Sequence, residues 1–184
     1  LADSTVTRTP AWGEYAITQS PQWFDAIAGQ VARHDVFGLT TIAGSNDTVL
    51  VLHDSVGEVV LQRTGRFIVC GSTYVQGSIE DANPNFTIDV MGALIFKIPD
   101  GAAAGVRTHE LRLGQTGIPM TADGNMQDSG FSFSGCTTLM LPAGTKISLR
   151  VGIFADNLTQ GNFIRWQARG DSAAGGANLS IHEI

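Results

Sequence analysis

The chain has 184 residues, of which 22 are glycine, 43% are hydrophobic and 15% are charged, with a formal net charge of −6. That length suits a single domain with a sizeable core, and the glycine-rich, charge-poor balance suits an all-β protein rather than a helical bundle or a disordered chain. With no block of Lys or Arg, the chain lacks the basic footprint that nucleic acid and anionic membrane surfaces require, and no apolar run approaches the ~18–20 residues that span a bilayer.

The chain opens on Leu1 rather than Met, as a processed or trimmed product would. Residues 1–35 differ from the rest and read as an N-terminal arm. Within it "ITQSPQWFDAIAGQ" is expected to form a short helix, with Ser20 as the cap and Pro21 at the first helical position, where its missing N–H is no loss. Trp23, Phe24, Ile27 and Val31 would then lie towards one side. Trp12, Tyr15, Trp23 and Phe24 need a surface to cover their rings. Either the arm packs under the main domain, or it docks on another subunit with these four as partner-binding residues.

From Val36 to Ile184, short strand-like runs alternate with turn signals, the pattern of a β-sandwich or barrel. Runs such as "TVLVLH", "GRFIVCGSTYV", "FTIDVMGALIFKI", "FSFSGCTTLML" and "NLSIHEI" are punctuated by Gly44-Ser45-Asn46-Asp47, Pro99-Asp100-Gly101, Asp123-Gly124-Asn125 and Pro142-Ala143-Gly144. Alternation is clearest at Lys146–Val151, which predicts Ile147, Leu149 and Val151 inward and Lys146, Ser148 and Arg150 facing water. Cys70 and Cys136 both fall inside predicted strands and read as buried free thiols, with one disulfide between neighbouring strands as the alternative.

Two segments carry a family resemblance. Gly65-Arg66-Phe67-Ile68-Val69 follows the pattern G-[RK]-[FY]-x-[VI], and Leu139 to Leu149 follows L-x-L-x-x-G-[DT]-x-[VI]-x-[LV]. In these motifs and in strand order, roughly from Asp47 to Ile184, the chain resembles the tumour-necrosis-factor/C1q-like jelly roll. The resemblance implies an all-β, antiparallel jelly-roll sandwich. Ser129–Gly152 would be its core hairpin, with Gly144 permitting the tight reversal. Gly175–Leu179 replaces the aromatic-plus-Gly closing motif of C1q heads, and no collagen-like stalk precedes the domain.

The resemblance also implies a homotrimer joined through one sheet's apolar side, acting as a non-enzymatic recognition or assembly module. Related jelly rolls occur in bacteriophage particles as head decoration proteins, spikes and fibre tips, and the absent stalk fits that setting. The expectation is a structural virion protein on the capsid surface, a decoration or cement protein that binds the major capsid protein or another virion protein and stabilises the head shell. The alternative is a receptor-binding module, at a phage fibre or spike tip or in an extracellular C1q-like protein, using loops such as Ile79–Asn85 and Ala155–Asn162.

Chemistry is sparse. His34, His53, His109 and His182 have no ligand-like spacing, and no phosphate loop, dinucleotide fingerprint or nucleophile elbow occurs, so no enzymatic activity is expected. Asp123, Asn125 and Asp128 lie close together in "TADGNMQDSG" and are weak calcium candidates, although Asp-Gly-Asn is also an ordinary turn. Arg169-Gly170-Asp171 reads as a turn rather than an integrin motif. Asn46, Asn85, Asn157 and Asn178 head Asn-x-Ser/Thr triplets that a secreted eukaryotic protein could glycosylate.

Overall fold

In the computed structural model, residues 8–17, 22–26, 31–44, 48–79, 87–101, 105–118, 129–156, 164–168 and 176–184 are described. Their strands are β1 Trp12–Ile17, β2 Gln22–Ala26, β3 Val31–Asp35, β4 Leu39–Gly44, β5 Leu50–His53, β6 Glu58–Leu61, β7 Gly65–Ile79, β8 Thr87–Asp100, β9 Gly105–Ile118, β10 Ser129–Leu141, β11 Lys146–Asp156, β12 Ile164–Ala168 and β13 Asn178–Glu183. All pairings are antiparallel.

The strands make two sheets. Sheet I runs β2-β12-β7-β13-β1-β4, with β10 also on β7; sheet II runs β5-β6-β11-β8-β9, with β3 also on β11. The long strand β7 organises sheet I. β10 pairs with it from Gly65 to Gly77, while its other edge is shared in tandem by β13, at Phe67–Ser72, and β12, at Val75–Ile79. In sheet II, β11 pairs along its length with β8 and shares its other edge between β6 and β3. Among the described residues β10 and β9 each keep one edge unpaired.

The core lies between the sheets and follows from the period of two. Phe67, Val69 and Val75 of β7, Leu179 and Ile181 of β13 and Tyr15 of β1 are buried with Leu94 and Phe96 of β8 and Ile147, Leu149, Val151 and Ile153 of β11. Each fully buried side chain of this size is worth about 1.5–3 kcal/mol relative to exposure. The inward phase expected of Lys146–Val151 is therefore borne out, with one correction. Ser148 points outward but is only 2% exposed, because long charged side chains cover that face.

Ser129–Gly152 is not a hairpin. β10 belongs to sheet I and β11 to sheet II, so the turn between them carries the chain across the sandwich. Gly144 takes φ +83° there, as a left-handed turn position demands, and the Pro142 carbonyl accepts from the Thr145 amide at 3.2 Å. Local alternation is the same for a hairpin and a crossover, which differ only in distant pairing partners.

The N-terminal segment also departs from expectation. Gln22–Ala26 is a strand and not a helix, because its backbone pairs with β12 from Gln22↔Ala168 to Ala26↔Ile164. A helix of one or two turns is marginal by itself, and Trp and Phe suit a strand equally well. The segment is no separate arm: β1 lies between β13 and β4 inside sheet I, and β3 joins β11 in sheet II.

Candidate functional site

The outward faces of the two sheets differ in chemistry. On sheet II the Arg150 guanidinium lies 2.5 Å from Asp35 and 3.6 Å from Glu110, and Glu58 takes Lys97 at 2.5 Å and Lys146 at 3.4 Å. These side chains lie over Ala93, Ile95 and Ser148, which point outward in register yet are buried. Desolvation alone would raise the Glu58 carboxyl, but the two lysines together hold it below its ordinary value. The Asp35 hydrogen bond raises the Arg150 guanidinium further. Positive and negative groups on this face satisfy one another.

Sheet I presents little charge outward. Reading across β10, β7, β13 and β1, one row holds Cys136, Cys70, Ser180 and Glu14, the next holds Thr138, Ile68, His182 and Trp12, and Ser134, Ser72, Asn178 and Ala16 lie on the other side. The centre is built of small side chains and the rim of large ones. Trp12 is 36% exposed, Ile42 63%, Ile184 59% and Met140 69%. Trp12 stacks on His182 with ring centroids 6.0 Å apart, and His182 Nε2 lies 2.9 Å from Ser180 Oγ.

Cys70 and Cys136 form a disulfide rather than remaining free thiols. The register puts them directly opposite each other, with Cα atoms 4.0 Å apart, and both occupy the outward phase of their strands, so neither is core. The bridge floors a hollow of about 410 Å³ that Ser72, Ser134, Ser180, Glu14 and Ile42 also line.

A second apolar recess lies at the seam where the β9 and β10 edges approach. Phe96, Ile98, Leu111, Leu139, Met140 and Leu141 line about 300 Å³ there. His109 and Glu110 stand at its rim.

Of the ring residues expected to bind a partner, Trp12 is on the sheet I face, whereas Tyr15 is 3% exposed and belongs to the core. Trp23 and Phe24 pair with Gln167 and Trp166 through their backbones. The calcium candidates Asp123, Asn125 and Asp128 lie outside the described residues, as do Asn46, Asn85, Asn157 and Arg169-Gly170-Asp171. Asn178 is exposed on β13 and donates to the Gly176 carbonyl at 2.9 Å. The histidines are dispersed: His34 packs by Gln22 and Phe37, His53 is exposed, His109 is at the seam and His182 is on sheet I. Among the described residues no three His, Cys, Asp or Glu side chains converge as metal ligands do.

Sequence reasoning missed Ile68, Ser72, Ser134 and Met140 on the sheet I face. The signal was present in "FSFSGCTTLM", where Phe131 and Phe133 mark the inward phase and Ser132, Ser134 and Cys136 fall on the other.

No protein-family model matches the chain, and no curated protein matches it in sequence. Its likeness is to solved structures. Murine APRIL at pH 5.0 superposes with a TM-score of 0.51 at 9% identity, over 96% of this chain and 100% of that one. Eiger TNF from S. frugiperda gives 0.47 at 16% identity, over 96% and 94%. With two antiparallel sheets in this strand order, the chain has the tumour-necrosis-factor-like jelly-roll fold.

Proposed function

We propose that the chain is a non-enzymatic assembly module which closes into a homotrimer through sheet I and decorates the head shell of a virus particle. One observation carries the assembly reading: sheet II answers its own charges with ion pairs, whereas sheet I leaves Trp12, Ile42, Met140 and Ile184 exposed around a centre of small side chains in which Glu14 is the one carboxylate among the described lining residues. An apolar rim of this kind marks a surface that another protein covers. The sheet I face and the seam recess lie on different sides of the chain and meet at Met140. A seam edge laid on a second copy's sheet I face is a head-to-tail contact, which closes into a ring of three when each contact turns the chain by a third of a full rotation.

The shell setting is carried over by analogy with jelly rolls that serve as decoration proteins in bacteriophage particles. Sheet II would then face out of the ring with its ion-paired surface. Light scattering on the purified chain tests the assembly: the mass of three chains is expected, falling to one chain in Met140→Glu. A single-chain mass for the parent at every concentration up to millimolar would overturn it. Gold-labelled antibody on particles from the source culture tests the setting. Label spread over a capsid supports decoration, and label at fibre ends or on host cells would replace it with receptor binding.

A further inference from the structure

The disulfide in the hollow of sheet I has a chemistry that the assembly reading does not use. Structural disulfides are ordinarily buried, whereas Cys136 is exposed and Cys70 half-buried. Their neighbours along and across the strands are Ser134 and Ser72 on one side, Thr138 and Ile68 on the other, and Ser180 beyond Cys70. The hollow of about 410 Å³ beside the bridge admits a small molecule.

Thiol exchange requires a thiolate to approach one sulfur along the bond, from the side opposite the sulfur that leaves. The two sulfurs are not equivalent in this respect. β7 is flanked by β13, so an approach to Cys70 passes over Ser180. β10 has no strand hydrogen-bonded beyond it among the described residues, so an approach to Cys136 meets only the β9 edge, whose Leu113 packs by Gly135. Charge also selects. The Glu14 carboxylate lines the hollow and the chain carries a net −6, which repels anionic thiols.

We propose that the Cys70–Cys136 bridge is a thiol-exchange site, opened at Cys136 by small uncharged or cationic thiols in the single chain and shielded once a second copy covers sheet I. An external thiolate forms a bond to Cys136 Sγ as the Cys70–Cys136 bond breaks. The electron pair leaves on Cys70 Sγ, which takes a proton from water. A second external thiol attacks the mixed disulfide and releases Cys136 as a thiol. Two external thiols are oxidised to one disulfide, and the protein's disulfide is reduced by the same two electrons. The shielding, though not the exchange, rests on the assembly proposed above.

The test uses the full chain, cysteamine and mercaptoacetate at equal thiolate concentration, with trapping by iodoacetamide and peptide mass mapping. Oligomeric state is measured in the same samples across a dilution series. Cysteamine is expected on Cys136, with the alkyl group on Cys70, several-fold faster than mercaptoacetate, and Glu14→Gln should narrow that ratio. The rate in dilute chain should be independent of low urea. Exchange only at the rate of global unfolding, or adducts chiefly on Cys70, would overturn the site. If the chain stays single throughout and exchanges readily, the assembly reading fails and the exchange site stands. If it assembles and exchange does not slow in step with the assembled fraction, the shielding is wrong.

Discussion

Glu183 in β13 accepts the Arg63 guanidinium across 120 residues of sequence, with Nε at 2.9 Å from Oε1. Its other oxygen takes the Ala11 amide at 3.0 Å. One carboxylate thus holds the segment before β1 and the segment after β6 to the last strand.

The Arg63 hydrogen bond holds the Glu183 carboxyl below its ordinary 4.5. A carboxyl depressed by folding contributes stability that is present above the unfolded value and lost as pH falls through the folded one. Glu183→Gln should therefore cost about 1–2 kcal/mol at pH 7 and flatten the loss of stability below pH 4.5. Urea unfolding at pH 7 and below 4.5 checks both. An equal acid loss in parent and variant would mean that the clamp is not what titrates.

Among the described residues Thr73 Oγ1 is buried with no hydrogen-bond partner, and it sits against Gly92, where a Cβ would collide with it and lie 2.9 Å from Phe133 Cβ. Thr73→Val removes an unpaired hydroxyl at constant shape and should stabilise by about 1 kcal/mol. Gly92→Ala should destabilise by about 1–3 kcal/mol through overpacking, and less so in combination with Thr73→Ala. A double-mutant cycle by thermal unfolding measures that coupling.

Gln22 is a buried amide whose Oε1 accepts from the Phe37 amide at 3.1 Å, with His34 Nε2 at 3.2 Å, while its Nε2 donates to the Phe37 carbonyl. Gln22→Leu strands two backbone groups and should cost about 2–4 kcal/mol. Burial lowers the His34 pKa from 6.5, against the pull of Asp35. A histidine held neutral in the fold contributes stability that is present above 6.5 and lost as pH falls through the lower folded value. His34→Gln should remove that segment of the pH–stability curve, which denaturation between pH 7.5 and 5 would show.

The Cys70–Cys136 bridge spans 66 residues. By chain entropy, its loss in the double variant Cys70→Ser/Cys136→Ser should cost about 4 kcal/mol. The 13-residue pairing of β7 with β10 should persist without it, so circular dichroism is expected to remain native. Loss of the β signal at 25 °C would mean that the bridge is required to form the sheet.

Local pattern was legible wherever one face of a strand meets the core. The inward phase of β11 and the left-handed Gly144 could be read from neighbours in sequence. What could not be read depends on distant pairing: Gln22–Ala26 becomes a strand because β12 lies beside it, and Cys70 meets Cys136 because β7 and β10 share one register. The sheet I face went unread for a related reason. Its Ser, Thr and Cys residues look like ordinary solvent-side positions until two strands place them in one patch.

The place of β13 has a consequence for how the molecule comes into being. Residues 178–183 sit inside sheet I, between β7 and β1, with Trp12 opposite His182. During synthesis β1 leaves the ribosome before β13, its partner, which emerges some 170 residues later, so early products hold exposed strand edges that only β13 can fill. Closing such distant pairs puts folding on the slow side, milliseconds to seconds. A nascent chain stalled before residue 178 should stay open to proteases and chaperones until the last strand slots in.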